Sequence, residues 1–491
     1  TSMAENPIVF AMANPDPEIA YDLAVATRKD IIMATGRSDH PNQVNNVLGF
    51  PFIFRGALDV RATAINEAMK MAAVKALANL TKQPVPEQVN IAYGETRLTF
   101  GKEYIIPKPF DQRLIYEIPP AVAKAAMESG VAKAPIQDWD KYREELMMRS
   151  GNDNKVVRLL HGRARTNAKK IVFAEADHLD VLKAAQIVYE EGIAIPVLLG
   201  RKDIILELKK ELEFDADLVI IDPMSEEFDE RHIRYATKYW ESRKRSGVTF
   251  YSAKIKMRER NYFGAMMVLE GDADGMISGY SRAYPTVVKP ILEVIGRAAG
   301  VKKVATVNIM ITERGPLFLA DTSINIEPNA EELADIAQMT ANVASNFGFD
   351  PVLAMLSYAN FGSSSHPNAR NVREAVRILH EKKPNLVVDG EIQIDFALNK
   401  ELHQSKFPFS KLAGKTVNTL IFPNLESANI TYKLLKELNK ADSIGPIMVG
   451  LRKSVHIMQL GASVDEIVNM AAVAVIDVQE REKRKKAKET K

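Results

Sequence analysis

The chain has 491 residues, a net charge of +2, 46% hydrophobic and 26% charged residues, and no cysteine. That length allows about three domains with sizeable cores, and the composition excludes a largely disordered or fibrous chain. The missing cysteines exclude disulfide scaffolds, thiol nucleophiles and thiolate metal sites; with no apolar run near ~18 residues and no signal-like start, the expectation is a cytoplasmic protein with no membrane partner.

The first apolar run, Ile8–Met12, reads as a buried parallel strand because both of its faces are apolar. Asn14, Pro15, Asp16 and Pro17 then force a turn. A second strand is expected over Ile31–Ala34, ending at Gly36, and one long helix over Leu58–Leu80. Two strands before that helix are too few for a nucleotide-binding sheet, and no G-x-G-x-x-G follows either, so the expectation is an incomplete first domain whose other strands come from sequence outside this chain. Pro-rich turns (IIPKPFDQR, YEIPP) and a helix over Ala121–Ser129 bridge to a boundary at Gly151–Asn154.

From Lys169 the pattern alternates strand and helix (KKIVFAEA, DHLDVLKAAQIVYEEG, IAIPVLLG, IILELKKELEF, ADLVIID), which implies a parallel sheet with right-handed crossovers. Further strands are expected at Ala265–Val268, Ala305–Ile311, Leu317–Ala320, Leu353–Ser357, Leu386–Val388, Thr419–Ile421 and Pro446–Val449. Amphipathic helices are expected at Asn329–Phe347 and Asn371–Glu381, and a long apolar one at Val464–Glu480. Glu480–Lys491 holds seven Lys or Arg against three Glu, so the positive excess sits in a terminal tail. It reads as a frayed, solvated helix end and not as a nucleic-acid-binding face.

Three segments carry a specific resemblance: FAMANPDPEI (Phe10–Ile19), ATGRSDHPNQVNNVLGFPFIFRGALD (Ala34–Asp59) and INEAMKMAAVKALA (Ile65–Ala78). They resemble the C-terminal half of the nucleotide-binding domain of bacterial NADP-dependent malic enzymes. Residues 155–482 resemble phosphate acetyltransferase through DGMISGYSRAYPTVVKPIL, MLSYANFGSS, VDGEIQIDFAL, FPNLESANITYKLL and IGPIMVGL. Together the two resemble the layout of the large MaeB-type malic enzymes.

The resemblance implies an α/β chain: a partial Rossmann-like nucleotide-binding domain with its linker (1–150), then a two-lobed acetyltransferase-like module. Lobe 1 would be 151–293 with 446–482, lobe 2 would be 294–445, and 483–491 the basic tail.

An Asn beyond a strand end can both donate and accept, which suits a small acid. Asn45 and Asn46 are adjacent, so one would bind substrate while the other satisfies local backbone. The resemblance implies contacts of Asn14 and Asn46 with malate or the nicotinamide side, and places Asn45, Gly36 and Arg37 toward the cofactor. Arg37 also fits a plain surface turn. The malic enzyme reaction needs NADP, a base, an acid and a divalent metal (Mg or Mn) to polarise the C2 oxygen. In the resembled family a Tyr, a Lys and carboxylates upstream of this chain's start supply these, so neither a catalytic residue nor a metal ligand is assigned here.

In the resembled acetyltransferases a DLSRG segment supplies a Ser and a phosphate-binding Arg, with an Asp five residues after the glycine. Here the stretch is Ile457, Met458, Gln459, Leu460, Gly461, with Glu466 downstream. Tyr280–Pro285 also departs from a His/Ser/Thr-rich stretch in active relatives. Ser278 and Gly279, Ser357, and the run Gly362–Ser365 with Ser363, remain suited to holding a phosphate or acyl group through backbone N–H groups, and fit plain turns equally. His456 lies beside the altered stretch and is read as a ligand contact of the same pocket.

The expectation is therefore a non-catalytic module that senses acetyl-CoA, attached to an enzyme acting on malate and pyruvate. The alternatives are an active phosphate acetyltransferase and a purely structural scaffold. Self-association as a dimer through the C-terminal module, extending to a hexamer, is expected from the all-round apolar helix Val464–Val478.

Overall fold

The computed structural model describes residues 3–13, 16–86, 89, 90, 93, 98–149, 155–225, 229–312, 314–439 and 443–489. It divides into two compact units, Thr1–Asp153 and Asn154–Lys491.

In the first unit, β1 (Ile8–Ala11) pairs in parallel with β2 (Ile32–Thr35), Ile8 opposite Ile32. Ala11 and Met33 share a small cluster with Ala24, but Ile8 and Phe10 stay about half exposed. The expectation of a buried strand is corrected: two strands cannot cover both of their own faces.

The single helix expected over Leu58–Leu80 is two, Phe50–Asp59 and Glu67–Lys82. Arg61 at φ 49° breaks the path, and Asn66 caps the second helix by accepting from Met69 N. A third helix, Leu114–Glu128, starts earlier than expected and runs through Pro119 and Pro120. Packing overrides the helix-breaking tendency of proline. Gly56 lets Phe50–Asp59 approach so closely that an added Cβ would lie 2.5 Å from the Pro119 carbonyl oxygen.

The second unit has two sheets. Strands β3 (Lys170–Phe173), β4 (Ile195–Leu199), β5 (Ile220–Ile221) and β6 (Gly275–Ser278) come first. Next come β7 (Ala305–Thr312), β8 (Gly315–Ala320), β9 (Val352–Leu356), β10 (Val387–Ile392), β11 (Thr419–Ile421) and β12 (Ser443–Val449). The last is β13 (Ser454–Ile457). The first sheet has the order β13-β6-β3-β4-β5 and is parallel throughout. The second has the order β10-β9-β11-β8-β7-β12, with β7 antiparallel to both of its neighbours.

Two expectations change here. Ala265–Val268 lies in a helix, Arg260–Glu270, capped by the Glu259 side chain and closed by Gly271 at φ 86°. A four-residue apolar run has no periodicity to separate a buried strand from a buried helix. Strand β12 belongs to the second sheet, so the chain returns to lobe 1 after Val449 and not at 446. The return strand β13 had no expectation attached.

The helix expected to end near Glu480 runs from Val464 to Glu489, so the basic tail is helical as far as Glu489, and its last two residues lie outside the described residues. Its apolar residues Ile467–Ile476 are buried inside their own chain, which removes them as an argument for a dimer. No helix among the described residues is long and apolar enough to cross a membrane.

Candidate functional site

The loop leaving β2 carries the first set of expected residues. Thr35 Oγ1 accepts from Arg37 N at 3.0 Å, which turns the chain directly after the strand. The Arg37 guanidinium grips Asp39 with Nε and Nη2, at 2.9 and 2.6 Å, and holds that carboxyl down to about 2. The carbonyl of Gly36 accepts from Gln43 Nε2 at 3.4 Å.

The adjacent asparagines divide their work. The Asn45 side chain accepts from Val47 N and caps the short 3-10 helix Asn46–Leu48. Asn46 is exposed, and its amide makes no hydrogen bond among the described residues. Asn14 lies outside the described residues. Buried Asn42 is one that sequence reasoning missed. It donates to the Met33 and Lys102 carbonyls and accepts from Ile105 N, pinning β2 to the segment around residue 104.

In the second unit, the loops after β6, β3 and β13 meet at the carboxyl end of β6. The first follows Ser278, the last residue of that strand. Ser278 is buried and donates from Oγ to Asn261 Oδ1 at 2.6 Å. Gly279 takes φ 105°, and an added Cβ there would sit 2.8 Å from Ile457 and 2.9 Å from the Met458 carbonyl oxygen. Below this turn lies Glu175, only 1% exposed. Its Oε2 accepts from Gly279 N and Tyr280 N, each at 2.7 Å. Its Oε1 accepts from Ser281 N at 3.1 Å and Ser281 Oγ at 2.5 Å.

The second sheet repeats the device. Gly362 N donates to Glu391 Oε1 at 2.7 Å, and Arg373 grips the same carboxylate with Nε and Nη2. Burial opposes ionisation of Glu391, but Arg373 and the backbone N–H groups hold its pKa below the ordinary value. Ser357 Oγ accepts from Ala359 N, and Ser363 Oγ accepts from Asn360 N.

The expectation that the Gly279 and Gly362 N–H groups face a phosphate is therefore corrected. A protein carboxylate already fills each of these anion-binding turns.

The third loop follows β13. Met458 N donates to the Ser278 carbonyl at 2.7 Å, and Gly461 N to the Tyr280 carbonyl at 2.9 Å, so this loop lies against the first. Gln459 Nε2 donates to Tyr432 OH, which joins the loop to the other lobe. Leu460 is 69% exposed. Glu466 accepts from Ser463 N and pairs with Lys436 at 2.7 Å, so its carboxylate serves a helix start and a link between the lobes.

His456 is not a ligand contact. It is buried on β13, where Nδ1 accepts from Met448 N, and desolvation pushes its pKa down to about 4. Among the described residues no group of three His, Asp or Glu side chains could hold a metal ion.

Comparison with known proteins assigns the two units. Residues 155–475 match the family model "Phosphate acetyl/butaryl transferase", and residues 1–93 match "Malic enzyme, NAD binding domain". An "NADP-dependent malic enzyme" from Haemophilus influenzae is 44% identical over 98% of this chain. The chain belongs to the malic enzymes fused to a phosphate acetyl/butaryl transferase module.

The chain spans 64% of the length of that relative. Its second module is also 41% identical to a "Phosphate acetyltransferase" from Thermoanaerobacterium thermosaccharolyticum, covering 66% of this chain and 99% of the relative. A solved phosphotransacetylase from Streptococcus pyogenes superposes with a TM-score of 0.62 at 36% identity, over 67% of this chain and 99% of its own.

Proposed function

We propose that the complete protein is an NADP-dependent malic enzyme, and that its transferase-family module binds acetyl-CoA without turning it over. The reaction is oxidative decarboxylation of malate to pyruvate and CO2. The similarity that runs through both modules over 98% of the chain supports the first part. Beside β2, Asn46 offers an exposed amide without a partner among the described residues, suited to a malate carboxylate or hydroxyl. NADP would lie along the Gly36–Asp39 turn, where Asp39 competes with a phosphate for the Arg37 guanidinium. The carboxylates that would hold Mg or Mn belong to a part of the complete enzyme outside the described residues, among which no group of three His, Asp or Glu side chains could hold the ion.

One observation carries the non-catalytic reading of the second module: Leu460 is exposed at the loop position where the resembled acetyltransferases present a phosphate-binding Arg. An aliphatic side chain gives no charge-assisted contact to phosphate, a loss of about 1.5–3 kcal/mol per hydrogen bond. Gln459, at the Ser position, is tied to Tyr432.

Coenzyme A and acetyl phosphate should give no enzyme-dependent thioester. A turnover above about 1 s⁻¹, the low end for enzymes, promotes the active transferase instead. Titration calorimetry should detect acetyl-CoA at micromolar concentration. Malate oxidation by the complete enzyme should change when it binds, most simply downward. Binding without that change would defeat regulation, which requires unequal affinity for two states.

Self-association through the second module now rests on Ile430, Leu434 and Leu438, an exposed stripe at four-residue spacing on helix Leu425–Asn439. Light scattering at micromolar concentration should give at least a dimer; a monomer refutes it.

A further inference from the structure

The first sheet of the transferase-family module ends in a second, separate concavity. In open α/β sheets, ligands settle beyond the carboxyl ends of the strands, above all where the strand order reverses. Here the order reverses between β3 and β6, and Glu175 fills that crevice from inside. Further along the same edge, over the ends of β4 and β5, the surface opens into a cavity of about 330 Å³.

Four arginines line it: Arg201, Arg258, Arg260 and Arg282. Their carboxylate partners do not match them in number or strength. Arg260 is fully engaged, donating from Nη1 and Nη2 to Asp177 at 2.7 and 3.0 Å. Arg201 reaches the same Asp177 only at 3.9 Å. Arg282 makes one contact of 3.3 Å with Glu259, whose carboxylate also caps a helix by accepting from Asn261 N and Tyr262 N.

Arg258 is exposed and has no ion-pair or hydrogen-bond partner for its side chain among the described residues. Asp222, also in the lining, is occupied by Met224 N. Glu226 and Glu227, next in sequence, lie outside the described residues.

Three under-partnered guanidinium groups around one small cavity create a demand for an oxygen-rich anion. Guanidinium forks match phosphate oxygens, and several can share one phosphoryl group where they cannot share one carboxylate as well. Exposed Met224 and Ile255, in the same lining, suit a small uncharged body attached to that anion.

We propose that this cavity is a binding site for a phosphoryl or diphosphoryl group, held by Arg201, Arg258 and Arg282 on a frame fixed by the Arg260–Asp177 pair. Two sources supply that chemistry: the nucleotide end of acetyl-CoA, or a free phosphate compound.

Calorimetric titration of the whole chain with pyrophosphate, ADP and acetyl-CoA tests it. The comparison protein carries Arg201→Ala together with Arg258→Ala, both solvent-facing changes, checked for an unaltered circular dichroism spectrum and melting temperature. Wild type should bind pyrophosphate, more weakly at higher ionic strength. The double variant should lose at least tenfold in affinity, and Arg258→Lys alone should lose less. Acetyl-CoA displaced by pyrophosphate assigns the site to its nucleotide end. Acetyl-CoA binding equally to wild type and variant, while pyrophosphate binding falls, assigns it to a free phosphate compound. Absence of acetyl-CoA binding with pyrophosphate bound defeats the sensing reading above and leaves this site standing. No pyrophosphate binding at millimolar concentration, or equal binding by the double variant, overturns the proposal.

Discussion

Replacing Glu175 by Gln keeps the size of the side chain and removes one acceptor, so its effect can be worked from geometry. If the amide nitrogen takes the place of Oε2, it faces the N–H groups of Gly279 and Tyr280, two donors with no way to turn. If it replaces Oε1, the Ser281 hydroxyl can rotate to accept from it, and only the Ser281 N–H loses its partner. The second arrangement is cheaper and decides the outcome. One hydrogen bond to a charged acceptor is lost, at about 1.5–3 kcal/mol, and the remaining backbone donors meet a neutral oxygen in place of an anion. The expected destabilisation is about 2–4 kcal/mol, read from urea unfolding of the chain followed by far-ultraviolet circular dichroism. A variant within about 0.5 kcal/mol of wild type would refute the claim that this carboxylate organises the loop.

Gly56→Ala should destabilise the first unit by about 1–3 kcal/mol, because the new methyl group meets the Pro119 backbone and not a flexible side chain; an unchanged melting temperature would count against the close helix packing. His456 makes stability depend on pH. Its folded-state pKa is depressed from 6.5 to about 4, so its contribution is intact above pH 6.5 and is lost as pH falls toward 4, up to about 3 kcal/mol at ~1.36 kcal/mol per pH unit. His456→Asn should flatten that part of the curve; equal slopes in the two proteins would sink the assignment. In the complete enzyme, Asn46→Ala should lower malate turnover at least tenfold with the fold intact, and kinetics within twofold of wild type would remove Asn46 from the site.

What could be read in advance depended on whether the signal was local. The helix start at Asn329 follows from an Asn with Glu332 three residues on, and both halves of that capping box are present. Long strands with their own turn residues were similarly legible, as at Ala305–Thr312. Short elements were not: Ser454–Ile457 is four residues of which two are polar, and Ala265–Val268 reads as strand or helix equally well.

The site was the least legible part, because its organising groups are far apart in sequence. Glu175 meets Gly279 across 104 residues, and neither position advertises the other. The Gly-containing turns were recognisable as anion-binding backbone. That the anion belongs to the protein itself is a tertiary fact. His456 shows the converse: proximity in sequence to Gln459 and Leu460 suggested a shared pocket, but strand alternation and burial put its ring in the core.

The long final helix bears on how this chain is made. Residues of Val464–Glu489 hold the first helix of the same unit, Lys155–Arg165: Asn469 meets His161, Gln479 donates to the Ala164 carbonyl, and Glu480 pairs with Arg163. The earliest-made helix of the unit thus waits for the latest. At ~5–20 residues per second, the intervening stretch takes the ribosome roughly 15–60 s to synthesise. For that interval the nascent lobes expose the apolar groove that Ile467–Ile476 will fill, an obvious chaperone target. A chain lacking Val464–Glu489 would leave the groove open for good, so loss of this one helix should be read out as aggregation or proteolysis of the whole second module.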